Sequence, residues 1–170
     1  MSQRSRPKNT RPIPSQYVWN FTSQPDPNLN GRAPAHEEGH AWDGGSAVNY
    51  IFYCRGAPIV FDEWAETAGE SELRWEALLA DFKATSHYDA APSDYEMVIN
   101  ASAYGDGPIL LSHSALLNGW DPYYFHALKA GLNLPEVDLN DGSGLGVTFS
   151  TNTIRTSSRT RAYALEAYGW

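Results

Sequence analysis

Leu73, Trp75, Leu78, Leu79 and Phe82 recur at the three-to-four-residue spacing that gathers side chains on one helix face, and Ser71 stands before them as a capping residue. The pattern predicts a helix over "SELRWEALLADFKATSHY". A shorter helix is predicted to open at Pro58, whose ring suits a first turn, with Phe61, Trp64 and Ala65 on one face. Ser46 precedes Val48, Ile51 and Phe52 at similar spacing, so another helix is predicted from Ser46 to a stop at Gly56. Asp121-Pro122 opens "DPYYFHALKAGL", closed by Gly131, and "SSRTRAYALEAYGW" reads as a last amphipathic helix. Short strands are expected on both sides of the turn Gly105-Asp106-Gly107-Pro108, and "VDLNDGSGLGVTFSTNTI" reads as a polar turn followed by a strand. Residues 1–35 form an extended, Pro-rich arm in which Tyr17, Trp19 and Phe21 alternate. Residues 36–45 are polar and glycine-rich. Helices and strands mix without regular strand–helix–strand order, which points to an α+β fold rather than a doubly wound sheet.

Composition sharpens this. With 42% hydrophobic and 13% aromatic residues among 170, the chain can build a core, and 19% charged residues is not a disordered composition. The net charge of −8 is uneven. Residues 1–12 carry Arg4, Arg6, Lys8 and Arg11 without an acid, leaving 8 basic against 20 acidic residues beyond them. An acidic body argues against binding duplex nucleic acid, where affinity comes mainly from Lys and Arg on phosphates. The basic head is expected to be a disordered tail. One cysteine, Cys54, excludes an intramolecular disulfide. No run of apolar residues is long enough to span a membrane. The charged N-terminus has no apolar core behind it, so no secretory signal is read and a cytoplasmic setting is favoured. The sequons at Asn20 and Asn100 are then unused.

Most candidate chemistry fails on spacing. His36-Glu37-Glu38-Gly39-His40 fits the zinc-protease pattern H-E-x-x-H, which needs both histidines one helical turn apart. Pro34 before it, Gly39 inside it and Gly44-Gly45 behind it oppose a helix, so a zinc hydrolase is only a remote alternative, and no metal ligand is assigned. Asp138 to Gly144 looks like a calcium loop, but Ser143 stands at the position that requires glycine and Phe149 at the one that requires Glu. Gly142, Gly144 and Gly146 lack the strand and helix of a phosphate cradle. Cys54 reads as a buried structural thiol in the helix after Ser46. His113 and His126 are candidate general bases, and His126 reads as a packed aromatic neighbour. No Ser–His–acid set assembles.

The stretch "GHAWDGGSAVNYIFYCRGAPIVFDEWAE" resembles the first signature of the glucose-methanol-choline oxidoreductases, flavin enzymes that oxidise alcohols. Gly39, Gly44, Gly45, Ser46, Asn49, Tyr53, Arg55, Gly56, Asp62, Trp64 and Ala65 occupy its places. "LRWEALLADFKATSHY", "YGDGPILLS", "VDLNDGSGLG" and "TNTIRTSSRTRAYALEAY" resemble later family segments in order, so the likeness covers residues 12–168.

The resemblance implies a partial flavoprotein of α+β fold. Residues 1–35 would be the arm, 36–100 part of the FAD-binding domain, and 101–170 part of the substrate-binding domain. It implies oxidation of an alcohol to a carbonyl with hydride passing to FAD, in a family that includes secondary metabolism. It implies FAD contact by Asp43, Gly44, Gly45, Ser46, Val48 and Asn49. The small residues would let the backbone approach the ring and offer it N–H groups. Ser46 and a helix N-terminus would stabilise negative charge, and Asn49 would bond the pyrimidine edge. Val48 stands where some members carry the histidine that attaches flavin covalently, so binding would be non-covalent. Asp43 replaces a loop glycine and His40 a basic residue, and a carboxylate beside a ring that becomes anionic on reduction would disfavour flavin. The family's G-x-G-x-x-G fingerprint does not occur, and none of the five histidines matches its catalytic pair. The expectation is therefore a middle portion that is inactive alone, with no catalytic residue assigned, working with a complementary chain or self-associating. The alternative is a degenerate, non-enzymatic partner-binding or structural protein.

Overall fold

Alternation of Tyr17, Trp19 and Phe21 resolves into strand β1 (Val18–Thr22), paired antiparallel with β2 (Ala35–Gly39) from Val18 opposite Gly39 to Thr22 opposite Ala35. The computed structural model describes residues 14–90, 93, 95–114 and 117–169; the basic head at 1–12 and Trp170 lie outside them. The chain divides into two compact units, Met1–Tyr50 and Ile51–Trp170.

In the first unit, Asp26 opens the hairpin connection by accepting the Asn28 N–H on its side chain at 2.8 Å, and Asn30 closes that turn in the left-handed region. The second strand corrects the sequence reading, which has residues 36–45 as a polar loop. Ala35, His36, Glu37 and Glu38 are all exposed, so no alternation of buried and exposed positions marks them as a strand. Backbone pairing with β1 decides instead. The same fact disposes of the zinc alternative: His36 and His40 stand four residues apart on extended chain, about 13 Å, rather than one helical turn. Among the described residues no group of three His, Cys, Asp or Glu side chains is placed to hold a metal ion.

The second unit is built on a sheet of order β3-β6-β5-β4, from β3 (Phe52–Tyr53), β4 (Ser86–Tyr88), β5 (Ile109–His113) and β6 (Thr151–Asn152). Only β4 and β5 run parallel, with Ser86 opposite Ile109. The helix predicted from Ser46 to Gly56 does not form. Ile51 takes φ 63°, which an α-helix excludes, and Phe52-Tyr53 pairs with Thr151-Asn152. Cys54 follows that strand and is exposed, contrary to the buried thiol expected.

Helix α1 (Pro58–Ala68) opens at Pro58 and closes at Gly69 in the left-handed region, as the sequence predicts. Helix α2 (Trp75–Thr85) begins four residues later than predicted. Ser71–Leu73 forms a separate 3-10 turn, and the Asp62 carboxylate of α1 accepts the Trp75 N–H at 3.2 Å. Phe61, Trp75 and Phe82 meet with centroids 5.7 to 6.0 Å apart and hold the two helices together. Between β4 and the Gly105–Pro108 turn the described residues hold no strand, only a 3-10 turn at Ala101–Ala103; β5 follows the turn as expected. A Cβ on Gly107 would lie 2.1 Å from the Ser86 nitrogen, so only glycine lets the chain pass the end of α2 and lay β5 beside β4. Helix α3 (Asp121–Leu132) starts as predicted but runs through Gly131 and ends at Asn133, φ 49°. Helix α4 (Ala164–Tyr168) is one short turn and a half. The apolar core is Ala103, Tyr104 and Leu111, flanked by Tyr53, Tyr88, Ile99 and Ile109.

Candidate flavin loop and the buried polar centre behind it in sequence

Two places concentrate functional side chains, one in each unit. The first is the loop after β2. The N–H of His40 donates to the Tyr17 carbonyl at 2.8 Å, and its ring lies on Trp19 with centroids 3.8 Å apart. These contacts bring the chain back over the hairpin. Gly39 is then pressed against Gly44: a Cβ on Gly39 would lie 1.9 Å from the Gly44 carbonyl oxygen. Gly44–Ala47 forms one 3-10 turn after Asp43, with Gly44 at φ 52°. The Ser46 hydroxyl donates to the Asp43 carbonyl at 2.8 Å.

All six sequence-assigned residues thus sit on one short loop. The helix N-terminus expected behind Ser46 is missing, and so is its dipole. The N–H groups of Gly44, Ser46, Val48 and Asn49 donate within the loop, to Ala41, Asp43 and Gly45 carbonyls. What the loop offers is space. Nothing lies within 4 Å of a Cβ built on Gly44 or Gly45, and Asn49 is exposed beside them. A flat ring can reach this backbone, which fits a flavin by shape rather than by a charged cradle.

The second place was invisible to spacing arguments. Arg55 is only 4% exposed although it is a cation. Its Nη1 donates to the Ala103 carbonyl at 2.5 Å and to the Asn140 carbonyl at 3.1 Å. Its Nη2 donates to Ser86 Oγ at 3.1 Å, and its Nε to the Tyr53 hydroxyl at 3.3 Å. The guanidinium also faces the rings of Phe82 and Tyr104 at 5.4 and 5.1 Å. Asn140 accepts the Arg55 N–H at 3.0 Å and donates to Thr151 Oγ1 at 2.8 Å. Asp138 accepts from the Tyr104 hydroxyl at 2.9 Å, and from the N–H groups of Asn140 and Asn100. Burial and the Asp138 charge push the Tyr104 phenol well above its ordinary range, so it stays a donor, although the Asn140 side chain pulls the other way. The "DLND" stretch read as a polar turn is therefore a buried clamp that joins Arg55 to β6. Every buried side-chain nitrogen and oxygen among the described residues has a hydrogen-bond partner.

His113, at the end of β5, is buried and held at both nitrogens. Tyr88 and His113 Nδ1 lie 2.5 Å apart, and Ser93 Oγ lies 3.0 Å from Nε2. Burial first, then the charge of Asp138, raises the Tyr88 phenol to about 12. It therefore donates to Nδ1, and Nε2–H donates to Ser93, whose own hydroxyl donates to the Tyr95 carbonyl at 2.6 Å. This chain of donors leaves no basic nitrogen facing outward, which argues against His113 as a general base. His126 is exposed on α3, and its ring meets Phe125 edge-on with centroids 5.7 Å apart. An unfolded tyrosine ionises near 10, below the folded value, so the unfolded chain loses this proton first. Stability is then full below about pH 10 and falls as pH rises toward about 12. Urea melts across that window should show the fall, and Tyr88→Phe should flatten Tyr88's share of it.

No protein-family model matches the chain. It is 30% identical over 155 residues to the oxygen-dependent choline dehydrogenase of Chromohalobacter salexigens, a span of 87% of this chain and 26% of that protein. It is 28% identical over 152 residues to patulin synthase of Penicillium expansum, 84% of this chain and 24% of that one. Its structure superposes on a fungal aryl-alcohol oxidase with a TM-score of 0.81 at 25% identity, covering 94% of this chain and 28% of the other. These relatives are glucose-methanol-choline oxidoreductases, FAD-dependent flavoproteins acting on alcohols or sugars, with enzymes of secondary metabolism among them. By sequence and by α+β fold, the chain is similar to part of these proteins. It spans about a quarter of the length of the relatives it matches.

Proposed function

We propose that this chain supplies a flavin-contacting loop and part of the substrate-binding domain of an FAD-dependent alcohol oxidoreductase. Residues 36–100 would belong to the flavin domain and residues 101–170 to the substrate domain. The observation that carries the reading is the loop from Gly39 to Asn49. Its glycines are forced together on one side and face open space at Gly44 and Gly45 on the other. When bound, FAD supplies the hydride acceptor for oxidation of an alcohol to a carbonyl. Gly44 and Gly45 keep side chains out of the ring's path, Ser46 ties the turn to Asp43, and Asn49 presents an amide to a polar ring edge. Val48 has no nucleophilic atom, so attachment there is non-covalent. The proton of the substrate hydroxyl has no acceptor assigned in this chain, because His113 is engaged at both nitrogens.

Asp43 is the internal test. A carboxylate beside this loop opposes the negative charge of a reduced flavin. Asp43→Gly should favour reduced over oxidised FAD by about tenfold, the equivalent of about 1.4 kcal/mol, read as a rise of about 30 mV in the two-electron midpoint potential with the complementing flavin-domain polypeptide present. A protein that stays colourless in both forms, complemented or not, would overturn the flavin reading.

A second reading rests on exposed apolar surface. Trp120, Tyr123, Tyr124, Leu128 and Leu132 follow one another along α3 and are all exposed. Such a stripe favours a non-enzymatic member kept for binding a partner. Colourless but partner-bound protein is its signature.

A further inference from the structure

The face of α3 turned away from that stripe borders a cavity of about 440 Å³ within the second unit. Its walls are rings. Phe125 and Phe149 stack with centroids 4.7 Å apart and planes 17° apart, and Tyr95 meets Phe149 edge-on at 4.9 Å. The Tyr95 hydroxyl donates to the Ser114 carbonyl at 2.6 Å, which fixes that ring as a wall. The polar part of the lining is one-sided in charge. Lys129 is neutralised by Glu136 at 2.7 Å and already lies 5.9 Å from the Phe125 centroid. Glu96 adds a second carboxylate and His126 an imidazole at the rim.

We infer that this cavity is a binding site for a small, flat, non-anionic aromatic molecule that carries an N–H or O–H donor. The ring edges and outer faces of Tyr95, Phe125 and Phe149 favour an aromatic guest, edge-on or offset, over a bulky aliphatic one. Two carboxylates against a single ammonium repel an anion and ask the ligand for donors rather than acceptors. A protonated donor on the ligand is admitted on the same ground, since the lining carries net negative charge. The volume lies within the range of small-molecule pockets and above what a single ring needs. The inference does not depend on the flavin reading, since every residue named lies in Ile51–Trp170.

The test uses the intact chain and 5-fluoroindole followed by fluorine NMR. A saturable shift is expected, with a dissociation constant of about 1 mM or tighter, as a ligand of this size can reach. Indole-3-acetate, competing for the same signal, should bind at least about tenfold more weakly because of its charge. His126→Trp places a ring at the exposed rim, where folding is unaffected, and should abolish the shift. Glu96→Leu, also exposed, should weaken binding severalfold; thermal melts confirm that both variants are folded. Absence of saturation, equal or tighter binding of the acetate, or a shift unchanged in folded His126→Trp each overturns the proposal. None of these outcomes bears on FAD.

Discussion

Arg55→Met should cost about 3–5 kcal/mol of folding free energy, the loss expected when one partner is removed from a buried charged network. The substitution keeps much of the volume but withdraws the donors from the Ala103 and Asn140 carbonyls and from Ser86 Oγ. Each buried acceptor left without a donor carries its own desolvation cost. Against the about 5–15 kcal/mol that holds a typical domain, the change is close to disabling. Arg55→Lys should recover only part of the loss, because one ammonium cannot reach three directions at once. Urea melts followed by circular dichroism measure both. A loss under about 1 kcal/mol for the Met variant would show that the network is not central to the second unit.

Gly39→Ala should have the second large effect, confined to the first unit. The added methyl would sit 1.9 Å from the Gly44 carbonyl oxygen, an overlap that backbone must relieve by moving. The loop would separate from the end of β2. Amide hydrogen exchange should then rise by tenfold or more across residues 40–49 while β3 to β6 stay protected. Unchanged protection at 40–49 would mean that the close approach is not maintained in solution. The comparison Gly45→Ala is informative because that methyl meets nothing within 4 Å and should leave the loop intact.

The sequence makes some of this visible and hides the rest for identifiable reasons. Proline at position 58 and the Asp121-Pro122 pair announce α1 and α3 locally, since their effect is confined to one turn. The strand at Phe52-Tyr53 is not local. Its partner lies about a hundred residues on, and Val48, Ile51 and Phe52 imitate helical spacing until Ile51 turns to positive φ. β2 carries no buried side chain at all, so nothing in its polarity distinguishes it from a loop. The six loop residues are proposed as flavin contacts from the family signature around them; their polarity alone predicts a turn and no ligand. Asp138 and Asn140 look like surface residues because their burial depends on Arg55, far away in the chain. The strand period from Tyr53 to Arg55, with Cys54 outward, was the available clue to an inward arginine.

The pairing of β3 with β6 also has a consequence during synthesis. The Thr151 hydroxyl donates to the Tyr53 carbonyl across 98 positions of chain. At about 5–20 residues per second, the ribosome needs about 5–20 s to make that interval. Throughout it the Tyr53 edge is unpaired and Arg55 lacks Asn140. A nascent chain in this state shows a naked strand edge and a cation without its acceptors, which is the kind of surface that chaperones hold.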